Sequence, residues 1–270
     1  MKSINITECI SLLLNKQFNT PDEVEQIITS IHGPQLIPSL ILSSNQYIYR
    51  ARVINNIKEI VNNNSLSYLP PEKNNSYKRA STPANTMFYG ISSDEQWSSV
   101  YGCCAETCDC FRNPRDKSMR YNVVIGQWQT TMDLKFAQII NPNGSNKSES
   151  FKNDKEYRKI ASSVGLQSTD SMALMKYLNH EFTKIVENND DKGYWVSAIL
   201  SKLLLKTGLY DGIIYESVQS FAPGAENVHC VAILPSVVDK HMVFRKAESL
   251  EIEFSNYNQD ASIISVKKIL

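Results

Sequence analysis

The chain carries no net charge. Lys and Arg together number 28 and so do Asp and Glu, in 270 residues. That balance argues against a partner captured through bulk charge, nucleic acid above all. No apolar run approaches the roughly 18–20 residues that a membrane span requires. Lys2 precedes an apolar stretch, Ile10 to Leu14, that is too short and too interrupted for a signal peptide. The expectation is a cytoplasmic protein with no membrane partner.

The short signatures of well-known chemistries are missing too. The sequence holds no G-x-G-x-x-G, no P-loop, no G-x-S-x-G and no H-E-x-x-H. His180-Glu181 opens like a zinc-protease motif, but no second histidine follows, and the four histidines have no ligand spacing. Of the six cysteines, Cys103, Cys104, Cys108 and Cys110 cluster while Cys9 and Cys230 stand apart. A chain without a secretion signal has little use for a disulfide framework. Neither a C-x2-C pair nor a second cluster completes four thiolates for zinc, so no metal is expected. A nucleophile pair could be drawn between Cys104 and His229, but core packing explains both residues equally well.

What is present is an ordinary globular composition, 42% apolar and 21% charged, enough for a sizeable core. Thr20-Pro21-Asp22-Glu23 predicts a capping box opening a helix through Ile27, Ile28 and Ile31, stopped by Gly33-Pro34. Residues 1–45 therefore read as an N-terminal helical extension. Tyr47 to Val53 alternates strictly, with Ile48, Arg50 and Arg52 on one face. Two arginines in such a strand are costly unless an anion or water meets them. Residues 54–82, rich in Asn and Ser with Pro70-Pro71, predict a long loop containing Arg79.

Thr86 to Gly90 reads as a short strand ending in glycine. Ser92-Ser93-Asp94-Glu95 predicts a second capping box and a helix through Trp97, Val100, Tyr101 and Cys104, with Glu106 at its far end. An acid there opposes the helix dipole. Tyr121–Trp128 and Asp133–Ile140 read as a hairpin turning near Thr130-Thr131, and 141–158 as a polar surface insertion. Leu174, Met175, Leu178, Phe182 and Ile185 share one helical face. A further helix runs from about Tyr194 to Lys206, with Trp195, Ile199, Leu203 and Leu204 apolar, and Thr207-Gly208 stops it.

Asp211 to Leu234 organises the rest. Ile213–Tyr215 and Val228–Leu234 predict two buried strands joined by a polar loop with a Pro223-Gly224 turn. Glu216, Ser217 and Asn227 stand at the junctions, where scaffolds commonly present working residues. The tail, 241–270, is strand-like and expected to pack on the same domain, which spans 46–240. Helical and strand segments follow no regular βαβ alternation, so the fold class is α+β.

In order along the chain stand Tyr49-Arg50-Ala51-Arg52, Thr82-Pro83, Met87-Phe88-Tyr89-Gly90, Cys103-Cys104-Ala105-Glu106, and Leu209 to Ser217 with Asn227 and a run ending at Pro235. Together these segments, over about residues 47–235, resemble the RES domain family, named for an arginine, a glutamate and a serine. The resemblance implies an ADP-ribosyltransferase-like split β-sheet core with flanking helices. It implies an enzyme whose substrate is NAD+, with no metal: a toxin cleaving the nicotinamide–ribose bond as a glycohydrolase or phosphorylase. One alternative is a mono-ADP-ribosyltransferase acting on a cellular protein. Another, from a different class, is a non-catalytic nucleotide- or partner-binding module on the same fold. The implied partner is a cognate antitoxin with a DNA-binding domain.

By the same resemblance Arg50, Tyr89, Glu106 and Ser217 are the catalytic set, with Arg52, Arg79 and Asn227 binding the dinucleotide. A carboxylate such as Glu106 can stabilise an oxocarbenium-like ribose through a ribose hydroxyl. A guanidinium suits a pyrophosphate, and a tyrosine face suits nicotinamide or ribose. The spacing from Tyr89 to Glu106 is longer than in the family, which leaves Glu95 as a second candidate acid. Arg50, Arg52 and Arg79 all remain candidates for the arginine.

Overall fold

This computed structural model describes residues 4–31, 37–60, 62–92, 96–107, 119–140, 168–186, 190–217, 228–254 and 261–270. Gly33-Pro34, the 141–158 insertion and the Pro223-Gly224 turn lie outside those residues. Chain contacts divide the protein into two units. Unit 1 comprises Met1–Ile41, Leu69–Met87 and Lys135–Glu216, and unit 2 comprises Leu42–Tyr68, Phe88–Leu134 and Ser217–Leu270. The secondary structure is mixed, with helices and mostly antiparallel strands that follow no βαβ repeat.

In unit 1, α1 (Ile6–Asn15) starts where Asn5 Oδ1 accepts the Glu8 N–H at 2.8 Å. Helix α2 (Pro21–Thr29) starts on its proline, but the expected capping box does not form, because the Thr20 side chain makes no capping bond. Glu23 turns instead to Lys16, 2.8 Å away, and to the Asn19 N–H. Helix α2 ends at Thr29, ahead of Gly33. These two helices share an apolar cluster with α4 (Ser168–Thr183) and α5 (Trp195–Lys206), in which Leu13, Val24, Ile28, Tyr177 and Trp195 are buried. Burying each such side chain stabilises the fold by about 1.5–3 kcal/mol.

The apolar face read on α4 is right at Leu174, Met175, Leu178 and Phe182, all buried, and wrong at Ile185, which is 84% exposed beyond the helix end. On α5, Leu205 rather than Leu204 completes the buried face, and Gly208, at φ +71°, ends the helix as expected. Strand β5 (Leu134–Ile139) runs parallel to β6 (Gly212–Glu216), pairing Phe136 with Gly212 and Ile139 with Tyr215. The short strand β1 (Ser39–Leu42) flanks β5.

In unit 2, six antiparallel strands lie in the order β7 (His229–Ile233), β3 (Phe88–Ser92), β2 (Tyr47–Ile54), β4 (Met119–Thr130), β8 (Met242–Phe254), β9 (Ala261–Lys268). The expected β4–β5 hairpin is therefore absent: β4 pairs with β2 and β8, whereas β5 pairs with β6. Long-range pairing overrides the short Thr130–Asp133 connection. Strand β3 extends past Gly90 rather than ending there. A Cβ on Gly90 would stand 2.6 Å from Ile48 Cγ2 and 3.1 Å from the Tyr49 carbonyl, so glycine is what permits β2 and β3 to approach.

The Asn/Ser-rich stretch after β2 is ordered rather than loose. Asn56 and Asn62 each accept a backbone N–H two residues on, opening short 3-10 turns at Ile57–Glu59 and Asn63–Leu66. Leu66, fully buried, anchors the stretch in a cluster with Ile54, Val124 and Ala247. Helix α3 (Gln96–Thr107) packs on β2 and β3, and helix α6 (Pro235–His241) leads into β8.

Candidate active site

Strands β2 and β3 register at a single pair, Tyr49 with Ile91. On its other edge β2 pairs with β4 along its whole length, and β3 likewise with β7. Arg50 follows Tyr49 on β2, opposite Gly126 of β4. Its guanidinium Nη1 donates to the Tyr89 carbonyl at 2.6 Å and lies over the Phe88 ring, 5.4 Å from its centroid. One backbone bond and one ring face do not neutralise a cation. Among the described residues no carboxylate pairs with Arg50. Burial pulls its pKa from 12.5 down to about 10, against the opposing pull of Cys103 and Tyr89.

Glu106 is the penultimate residue of α3. Two donors converge on one of its oxygens. Ser217 Oγ donates to Oε1 at 2.5 Å, and Cys230 Sγ donates to the same atom at 3.5 Å. No described residue donates to Oε2. Ser217, the first residue after β6, is 3% exposed and its N–H is held by the Val228 carbonyl at 3.2 Å. That bond ties Ser217 to the chain entering β7, two residues before Cys230.

Helix position sets this meeting. A Cβ on Gly102 would stand 2.5 Å from Val228 Cγ1, so the bare backbone lets α3 lie against the start of β7. Glu106 follows Gly102 by one helical turn and projects from the same face. The Cys103 thiol beside them is pushed well above its usual range, by burial first and also by Cys104 and Glu106, while Arg50 acts in the opposite sense. Helix α3, which carries Cys103 and Glu106, packs on β2, the strand that carries Arg50.

The remaining described residues singled out by sequence are Tyr89, Arg52 and Arg79. Tyr89, half-buried on β3 opposite Ala232, lends its carbonyl to Arg50. Arg52 is at the surface, where it meets Ser65 O at 3.3 Å and Glu59 Oε2 at 3.8 Å. Arg79 belongs to unit 1, where it donates to the Glu181 and Lys184 carbonyls at 3.1 Å each and lies over the Tyr194 ring. It closes the last turn of α4. Glu95 and Asn227 lie outside the described residues.

Sequence reasoning missed Cys230 and Gly102. Cys230 sits inside a continuous apolar run and reads there as packing, and a helical glycine reads as a weak point. The signal was their spacing, since Gly102 precedes the acid by four and Cys230 alternates with Val228 on one strand face. Among the described residues no group of His, Cys, Asp and Glu could hold a metal ion, and no helix is long and apolar enough to cross a membrane.

No protein-family model matches the chain, and no curated protein matches it.

Proposed function

We propose that the chain is an enzyme that degrades NAD+ by cleaving its nicotinamide–ribose bond. One observation carries the reading: a carboxylate, Glu106, held on a single oxygen by Ser217 and Cys230, in the same unit as a half-buried guanidinium, Arg50, that has no carboxylate partner among the described residues. A half-buried cation left with so little compensation suits an anionic ligand, and a pyrophosphate offers the paired oxygens that guanidinium binds best. The resemblance to the RES family supports an ADP-ribosyltransferase-like core and the roles of the four residues.

In this reading Arg50 binds the pyrophosphate and Tyr89 flanks the nicotinamide ribose. The glycosidic C–N bond breaks and its electron pair leaves with nicotinamide. Glu106 stabilises the cationic ribose through a ribose hydroxyl. Water then attacks the anomeric carbon and releases a proton, giving ADP-ribose, or phosphate attacks and gives the phosphate ester. Arg52 and Asn227 assist in binding the dinucleotide. Such an activity is toxic to its own cell, which supports a cytoplasmic toxin covered by a cognate antitoxin with a DNA-binding domain.

The test is release of free nicotinamide from NAD+ by the purified protein, with and without phosphate, alongside Glu106→Gln and Arg50→Ala. Release by the wild type that is lost in both variants supports the reading, and the co-product separates hydrolysis from phosphorolysis. With labelled NAD+ and cell lysate, label fixed on protein would turn the reading to mono-ADP-ribosylation. Neither nicotinamide nor labelled protein would leave a binding module and overturn it.

A further inference from the structure

Oxygen Oε1 of Glu106 has two donors while Oε2 has none among the described residues. The inequality is informative, because a carboxylate offers about four acceptor positions spread over both oxygens. Fastening one oxygen twice fixes the plane of the group and leaves the other oxygen to accept from a ligand. A single donor would leave the carboxylate free to turn about that bond.

The second donor is no accident of exposed packing. Cys230 is 6% exposed, lies on β7 opposite Ile91, and shares a strand face with Val228, the residue that α3 meets at Gly102. The close approach that brings Glu106 to Ser217 thus also brings it to Cys230. A buried thiol usually serves as a small apolar filler. Here its sulfur lies within hydrogen-bonding reach of an acid.

We infer that Cys230 is a positioning residue: its thiol and the Ser217 hydroxyl together clamp Glu106 Oε1, so that Oε2 is the oxygen presented to a hydroxyl of the ligand. The catalytic consequence rests on the function proposed above, but the clamp itself does not.

Two arms of one experiment separate the clamp from the reaction. Infrared spectroscopy of the purified chain reads the S–H stretch of Cys230, assigned as the band lost in Cys230→Ala. A thiol donating to a carboxylate absorbs at lower frequency than an unbonded thiol, so Glu106→Ala should move the band up. An unmoved band overturns the clamp whether or not NAD+ is turned over. A band that moves in a protein without turnover sustains the clamp and defeats the NAD+ reading instead.

Where turnover is present, Cys230→Ala should lower kcat about tenfold with KM for NAD+ little changed, the size expected for one charge-assisted hydrogen bond. Cys230→Ser, which keeps a donor, should recover most of the loss. A merely packing role predicts the reverse order, because alanine fits an apolar site better than serine. Wild-type kcat in Cys230→Ala, or a serine variant worse than alanine, overturns the positioning role.

Discussion

Gly102 and Val228 meet so closely that a single added carbon at the first would stand 2.5 Å from Cγ1 of the second. Valine has a stiff side chain that cannot swing aside. Gly102→Ala should therefore destabilise the protein by about 1–3 kcal/mol, despite the better helix propensity of alanine. Adding Val228→Ala removes the methyl that is struck and should recover part of the loss. Urea unfolding of the two single variants and the double variant checks this, and strictly additive losses would refute the steric account.

The bond from Ser217 to Glu106 spans 111 residues of sequence and should be visible as coupling. Ser217→Ala leaves a carboxylate with one weak thiol donor, at a cost of about 1.5–3 kcal/mol. In Glu106→Gln the same serine change should cost less, giving a coupling energy of about 1 kcal/mol or more in a double-mutant cycle. A coupling near zero would mean that the hydroxyl and the carboxylate do not hold each other in solution.

What the sequence disclosed followed from how local each signal was. The alternation of Tyr47–Val53, the buried run after Asp211 and the periodicity of α4 and α5 are short-range patterns, and all appear as elements. Pairing was not legible. Nothing near Thr130-Thr131 told that β4 would choose β2 and β8, since that choice is made by strands far away in sequence. The same limit applied at the site. Arg50, Glu106 and Ser217 could be named through a resemblance, but their convergence depends on Gly102, whose role exists only once α3 lies on β7. Arg50 and Arg52 share a strand face and could not be told apart by pattern. Only the neighbours distinguish them: Glu59 meets one, and no described carboxylate meets the other.

That difference between the two arginines has a thermodynamic consequence. A guanidinium whose burial lowers its pKa to about 10 is still charged at neutral pH, and its desolvation opposes folding at every pH below that value. Arg50→Met should therefore stabilise the ligand-free protein by about 1 kcal/mol, evenly across neutral pH, after allowing for the lost bond to the Tyr89 carbonyl. Inorganic pyrophosphate should raise the melting temperature of the wild type and leave that of Arg50→Met unchanged. A methionine variant less stable than the wild type would show that the cation is already compensated.

The thiols offer a check on burial that needs no ligand. Cys9 is pushed up to about 11, and Cys103 well above its usual range, in each case chiefly by burial. The thiolate is the reacting species, so both should resist alkylation near pH 8 even where a reagent could reach them. Cys104 and Cys230 are buried as well. Iodoacetamide added to the native protein, followed by peptide mass analysis, should leave all four unmodified over times that fully label the urea-unfolded chain. Cys9 lies in unit 1 and Cys103 in unit 2, so their labelling midpoints in urea also report the units separately. Coincident midpoints would establish cooperative unfolding of the chain, and a lower midpoint at Cys9 would establish that the helical cluster around Val24 opens first. Rapid native labelling at Cys103 would contradict the close packing of α3 against β2 and β3, on which the placement of Glu106 depends.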